Sequence, residues 1–166
     1  MNDPRYDIRV VSEHAKTARR DNKKLISRLR KIKPRKLDEV VHQLHEEAFR
    51  HINCLHCANC CKTISPIITD KDISRIARYL HMKPSTFVES YLKLDSDQDY
   101  VFARTPCPFL GDDNYCKIYE VRPKACVEYP HTNRPRVYQA LNLSLKNAEV
   151  CPAVQEIFER LKIMNF

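Results

Sequence analysis

Four of the eight cysteines in this 166-residue chain fall within eight consecutive positions, C-L-H-C-A-N-C-C, as Cys54, Cys57, Cys60 and Cys61. The other four, Cys107, Cys116, Cys126 and Cys151, are spread downstream. This distribution constrains the fold more than any hydrophobic pattern does. A C-x-x-C spacing lets two thiolates reach one metal ion, or two corners of an iron–sulfur cluster, without strain in the backbone between them. A core that wants small apolar side chains has no use for such density, because thiols are selected for reactivity more often than for packing. The expectation is a domain whose distant segments return to the first cysteine group and are stapled there.

A disulfide framework is the competing account of a short cysteine-rich chain. The first ten residues, M-N-D-P-R-Y-D-I-R-V, contain no apolar signal region and no small-residue cleavage site. No run of about 18 apolar residues is present to span a bilayer. The expected location is therefore cytoplasmic, a reducing setting in which clustered cysteines serve metal or redox chemistry. The sequon at Asn142 carries no weight there.

Charge divides the chain. Residues 1 to 36 carry 13 Lys or Arg against 4 Asp or Glu, whereas residues 37 to 166 carry 16 against 17. The organisation expected is a basic amphipathic helical arm over 1–36 and a cysteine-cluster metal-binding domain over 37–166. Excess basicity at one end points to an acidic protein or a nucleic acid as partner, or to nothing more than a solvated helix face. No membrane span is expected.

Val11, Ala15, Ala18, Leu25, Leu29 and Ile32, with Asn22 in the missing step, recur at 3-4 spacing and predict a long helix with one narrow buried seam. Pro34 ends or kinks it. Leu37, Val40, Val41, Leu44, Ala48 and Ile52 predict a second helix, with which the first can pair as a hairpin. Of the histidines on or near that helix, only His56, inside the cysteine run, is a candidate ligand. Thr69 reads as an N-cap for a helix to about Leu80, and Ser85 as the cap of a short helix through Leu92; together they outline a helix-turn-helix without a clear base-reading face. Tyr100 to Arg104 reads as a strand, with Tyr115 to Tyr119 as its returning partner across the Asp112-Asp113-Asn114 turn. Arg122 to Pro135 is too proline-rich for a long element. Helices are expected from Leu141 to Glu149 and from Pro152 onward, burying Val154, Ile157, Phe158 and Leu161. The fold class expected is mainly α, a small metal-stapled domain with little β structure.

Cys54, Cys57 and Cys60 have the C-x-x-C-x-x-C spacing by which ferredoxin-type loops hold three corners of a [4Fe–4S] cluster, the fourth ligand being remote. Cys107 and Cys151 each precede a proline, as the last ferredoxin ligand does. Adjacent residues cannot readily aim at one ion, so Cys60 and Cys61 are expected to take different roles, one of them serving a neighbouring metal or a redox step. Eight cysteines also suffice for two four-thiolate zinc sites, and thiolate donors alone do not choose between zinc and iron–sulfur. All eight cysteines are therefore candidate metal ligands. Arg122 is a candidate cofactor-binding residue, since a guanidinium beside clustered thiolates offsets their charge and donates to sulfur; the alternative is an ion pair with Glu120 or Glu128. With one glycine, Gly111, the chain has no Gly-rich phosphate or dinucleotide loop.

The cysteine run, the stretch from Asp72 to Tyr91, the runs C-P-F-L from Cys107 and C-K-I-Y-E-V-R-P-x-x-C from Cys116 to Cys126, and Tyr129-Pro130 together resemble the YkgJ-type CxxCxxCC cysteine-cluster family, a zinc- or iron-chelating domain. The resemblance covers roughly residues 50 to 155 and implies metal binding without a defined reaction. Flagellin lysine methylases carry a similar pattern, so an enzymatic role stays open. Many members have glycine after the second cysteine where this chain has Ala58, which costs about 1 kcal/mol if that position needs a positive φ. The functional expectation is an iron–sulfur protein, most simply [4Fe–4S], with a redox or accessory catalytic role. The alternative is a structural zinc adaptor acting through its basic helix, and a third is a thiol or metal donor using Cys60 and Cys61.

Overall fold

The computed structural model describes residues 4–166. In chain order its elements are α1 (Ile8–Leu29), α2 (Pro34–Phe49), α3 (Cys54–Cys57), α4 (Asn59–Thr63), α5 (Asp70–Tyr79), α6 (Pro84–Tyr91), β1 (Leu92–Leu94), β2 (Tyr100–Phe102), α7 (Lys124–Glu128), α8 (Leu141–Asn147) and α9 (Pro152–Ile163), with short 3-10 turns between some of them. The protein is mainly α with a small two-stranded sheet. It forms two compact units, one of residues 1–59 and 130–166, the other of residues 60–129.

In the first unit, Asp7 caps α1 by accepting from the Arg9 N–H at 2.9 Å. The helix buries Val11, Ala15, Asn22, Leu25, Ile26 and Leu29, close to the seam that the 3-4 spacing defines. Pro34 neither ends nor kinks it. The chain has already turned at Arg30, and Pro34 opens α2 at its first position, where a fixed φ and a missing N–H cost nothing. The two helices do not form the expected hairpin as their principal contact: each packs chiefly on α9. That helix supplies Val154, Ile157, Phe158 and Leu161 as a wide apolar face, more surface than two narrow seams offer each other. Polar ties reinforce the packing. Gln155 Nε2 donates to Val11 O and to Ala148 O, Arg28 donates to Leu161 O at 2.5 Å, and Arg160 pairs with Glu47. The histidines of α2 also hold structure: His45 Nδ1 meets Thr132 Oγ1 at 2.8 Å and His42 Nε2 meets Arg134 O at 2.9 Å. Asp38 accepts from the Arg136 and Val137 N–H groups, both at 2.8 Å.

The second unit is built on α5, α6 and the hairpin. Thr69 and Asp72 form a reciprocal capping box at the start of α5, as the sequence signal indicates. Helix α6 begins at Pro84 with no side-chain cap; proline takes the first position in place of the expected Ser85 cap. Strand β2 pairs antiparallel with β1, in the register Leu92 to Phe102 and Leu94 to Tyr100. The expected Tyr115–Tyr119 partner is displaced, and makes only a bridge between Leu110 and Cys116. Ile68, Ile73, Ile76, Ala77, Phe87, Leu92, Phe102, Phe109 and Ile118 form the core, with Phe109 ringed by Phe87, Tyr91 and Phe102 at centroid distances of 6.3, 4.9 and 5.6 Å. Cys107 and Cys116 lie against this core.

Candidate metal centre

Each cysteine is placed by a short, identifiable piece of backbone. In the first unit, α3 is a single turn: Asn53 Oδ1 caps it by accepting from the Leu55 N–H at 2.9 Å, and the Ala58 N–H closes it on Cys54 O at 2.9 Å. Ala58 ends the turn in the left-handed region, at φ 51°, so the condition set by the sequence reading, a positive φ after the second cysteine, is met. Cys54 is exposed on this turn and Cys57 is buried. The buried Asn59 side chain donates to Val150 O at 3.4 Å, tying the end of the turn to the residue before Cys151. Cys151 is itself the N-cap residue of α9 and is buried. Burial pushes its thiol up to about 12, assisted by the neighbouring Cys54 and Cys57 charges and opposed by the Val154 and Ala153 N–H groups of the helix start.

In the second unit, Cys60 and Cys61 are consecutive on α4. The Cys107 N–H donates to Cys61 O at 2.8 Å, and the Gly111–Tyr115 turn brings the chain back from Cys107 to Cys116. A Cβ at Gly111 would lie 2.6 Å from Asp113 Oδ1 and 3.2 Å from Tyr115 O, so a side chain there would displace the Asp113 carboxylate. Cys126 sits in α7, whose first N–H, that of Lys124, donates to Asp72 Oδ1 at 3.1 Å. Four thiols thereby come within electrostatic reach of one another. The Cys60 thiol hydrogen-bonds Cys61 and, with Lys62, outweighs burial to bring Cys61 down to about 7. Burial drives Cys107 up to about 11 and Cys126 up to about 12, and raises Cys116; the Cys61 charge raises all three. The Arg122 charge acts in the opposite sense on Cys116 and Cys126. Its guanidinium lies 3.9 Å from the centre of the Tyr119 ring and donates to Tyr119 O at 2.8 Å, while Glu128 pairs with Lys124 at 3.6 Å.

None of the eight cysteines is in a disulfide. Among the described residues, no three His, Cys, Asp or Glu side chains are drawn to the spacing of a finished metal site. The donor chemistry fits a thiophilic metal, since thiolate sulfurs are the donors that select zinc and iron–sulfur clusters. His56 is exposed on α3.

A family model described as "Putative zinc- or iron-chelating domain" matches residues 53–152. The chain belongs to the CxxCxxCC family. The matched segment opens one residue before Cys54 and closes one residue after Cys151, so it contains every cysteine of the chain. The CxxCxxCC match excludes α1, α2 and all but the first residue of α9. An uncharacterized protein of Methanocaldococcus jannaschii is 30% identical over 87 residues, which cover 51% of this chain and 47% of that protein. The alignment thus spans about half the length of that relative. No solved structure matches the chain. Among the described residues, no helix is long and apolar enough to cross a membrane.

Asp72 is the residue that sequence reasoning missed. It is 1% exposed, and beyond the capping box it accepts from Arg75 at 2.7 Å and from the Lys124 N–H, which orients the Cys126 helix. Arg75 in turn donates to Arg122 O at 2.9 Å. Only the T-x-x-D cap was visible in the sequence; the second duty crosses 52 residues and leaves no local pattern.

Proposed function

We propose that this protein holds iron through its cysteine thiolates, as an iron–sulfur centre with a redox or accessory catalytic role. The observation that carries the reading is the packing of Cys107 and Cys116 against an apolar aromatic core, with Cys61 tied to Cys107 by a backbone hydrogen bond and Arg122 acting on Cys116 and Cys126. Low-dielectric surroundings and a nearby guanidinium are the means by which a protein sets the potential of a thiolate-held cluster. The bound group would supply electron transfer or Lewis acidity. The chain's own part is to bury the sulfurs, exclude water with Phe109 and its neighbours, and balance thiolate charge through Arg122. Anaerobic purification followed by an absorption spectrum and by iron, zinc and sulfide analysis tests this. A brown protein with matched iron and sulfide supports it, and a colourless protein containing zinc replaces it with a structural zinc site.

A second reading, in which the basic helix binds an acidic partner such as a nucleic acid, is supported by the exposure of Lys16, Arg19, Arg20, Lys23 and Lys24 on α1. Because α1 packs on α8 and α9, deleting it would disturb the unit. Replacing Lys16, Arg19, Arg20 and Lys23 by glutamine is the cleaner test. Binding to single-stranded RNA at low salt should be lost in that variant and, in the parent, should fall steeply as salt is raised.

A further inference from the structure

We propose that the exposed face of α1 holds the phosphate backbone of a double-stranded nucleic acid; this rests on the second reading above and names the partner of its basic helix. Lys16, Arg19, Arg20 and Lys23 are exposed and stand three and four residues apart, so they share one face of the helix, within about 100° of its circumference. None of the four forms an ion pair with a described residue, whereas the cations beside them are engaged. Lys24 pairs with Asp21 at 3.5 Å, Arg28 donates to Leu161 O at 2.5 Å and Arg30 to Asn142 at 2.8 Å. On α2, Arg35 is likewise paired, with Glu39 at 3.1 Å. Like charges three and four apart on a helix repel, and a polyanion laid along the face removes that repulsion. The face lies outside residues 53–152, so the family's chelating role does not account for it.

What α1 lacks narrows the polyanion. A bilayer surface takes up a helix whose apolar side is free to enter it. The apolar side of α1 is buried within its own unit, and Val10 is the large hydrophobic residue it exposes. Single strands are held by bases stacked on aromatic rings. Helix α1 carries no Phe, Tyr or Trp, and its imidazole, His14, lies 3.9 Å from Glu159. Its one amide side chain, Asn22, is 3% exposed and does not reach a base edge. What remains is a rigid row of cations, with Lys16 and Lys23 about 10.5 Å apart along the axis. A duplex presents one negative charge per about 1.7 Å of its axis, so a row of that length meets several phosphates at once. Phosphate contacts position a protein without reading sequence.

Fluorescence anisotropy on the full chain, purified anaerobically, tests this with a short DNA duplex of mixed sequence, the same duplex as RNA, one of its single strands, and polyglutamate. One or both duplexes should bind more tightly than the single strand or polyglutamate, and a shuffled sequence should bind equally well. Four phosphate contacts give a slope of log affinity against log salt of about −3.6, a loss of roughly 150-fold between about 50 and about 200 mM. Lys16→Gln, Arg19→Gln, Arg20→Gln and Lys23→Gln together should abolish duplex binding, and each alone should reduce the slope by about 0.9. Arg35→Gln, on α2, should leave the slope unchanged. Far-UV circular dichroism checks that each variant keeps its fold. A single strand bound as tightly as either duplex overturns the duplex assignment and leaves the basic-helix reading standing. Polyglutamate bound as tightly makes the partner an acidic protein and overturns the assignment too. A parent that binds none of the probes at low salt overturns the assignment and the basic-helix reading together.

Discussion

The Asp72 carboxylate links two jobs that are usually separate, capping α5 and orienting the N–H of Lys124 at the start of the Cys126 helix. Burial alone would raise its pKa, but hydrogen bonds from the Thr69 side chain and backbone and the Lys124 N–H, with the Arg75 charge, hold it below the usual carboxylate value. A carboxyl group depressed in the folded state stabilises fully above its unfolded value, near pH 4, and loses that contribution as pH falls through its folded value. Asp72→Asn should therefore cost roughly 2–3 kcal/mol at pH 7, measured by urea unfolding. The gap between parent and variant should narrow below about pH 4; a gap that stays constant down to pH 3 would show that charge is not what holds α7. Ala58 makes a second residue-scale case. A β-branched side chain at φ 51° is strained, so Ala58→Val should destabilise by about 2 kcal/mol, whereas Ala58→Gly should be neutral or slightly stabilising. The sequence raised a positive φ at Ala58 only as a condition, which the structure meets, whereas the reach of Asp72 to Lys124 left no signal at all.

Elements with a long, regular pattern were readable and short ones were not. The seam of α1 emerged from 3-4 spacing over 22 residues, including Asn22 as a seam position, which the structure buries to 3% exposure. Ile26, also buried, lies one step off that narrow stripe and widens it toward the usual helix face. Strand β1, by contrast, is three residues long and follows α6 without a break, too short for alternation to register. The hairpin is closed by Asp95, which accepts from the Asp97 and Asp99 N–H groups at 2.9 and 3.0 Å; that closure is what won the pairing from the Tyr115–Tyr119 segment. The seam also yields a prediction. The Asn22 side-chain oxygen is buried without a hydrogen-bond partner, so replacing the polar group by an apolar one of similar shape removes a desolvation cost. Asn22→Leu should raise the stability of the first unit by about 1 kcal/mol in thermal or urea unfolding. An unchanged or lower midpoint would mean that the amide is satisfied in solution, or fixes the register of α1 as polar seam residues do.

At the scale of the molecule, the metal-chelating family was legible in the cysteine spacing, whereas the folding that brings distant cysteine segments back was not. Spacing marked Cys54, Cys57, Cys60 and Cys61 as candidate ligands. It gave no reason to bring Val150, next to Cys151, to Asn59, or Cys107 to Cys61, because partners 91 and 46 positions apart are chosen by packing and not by local pattern. Those separations carry an energetic consequence. Metal that joins residues so far apart binds only the folded chain, so its binding free energy adds to folding stability. At a free-metal concentration about 100 times the dissociation constant the gain is about 2.7 kcal/mol. For a chain of this length each kcal/mol moves the thermal midpoint by about 2–4 °C. Stripping the anaerobically purified protein with a chelator should then lower its midpoint by roughly 5–10 °C, and re-addition of the metal should restore it. The apolar core under Phe109 and the face of α9 are independent of metal, so α-helical circular dichroism should largely survive stripping at 25 °C. Metal-free protein that melts at the same temperature as the loaded form would mean that the thiols bind their metal without bracing the fold, and would move the role of the centre from structure to chemistry.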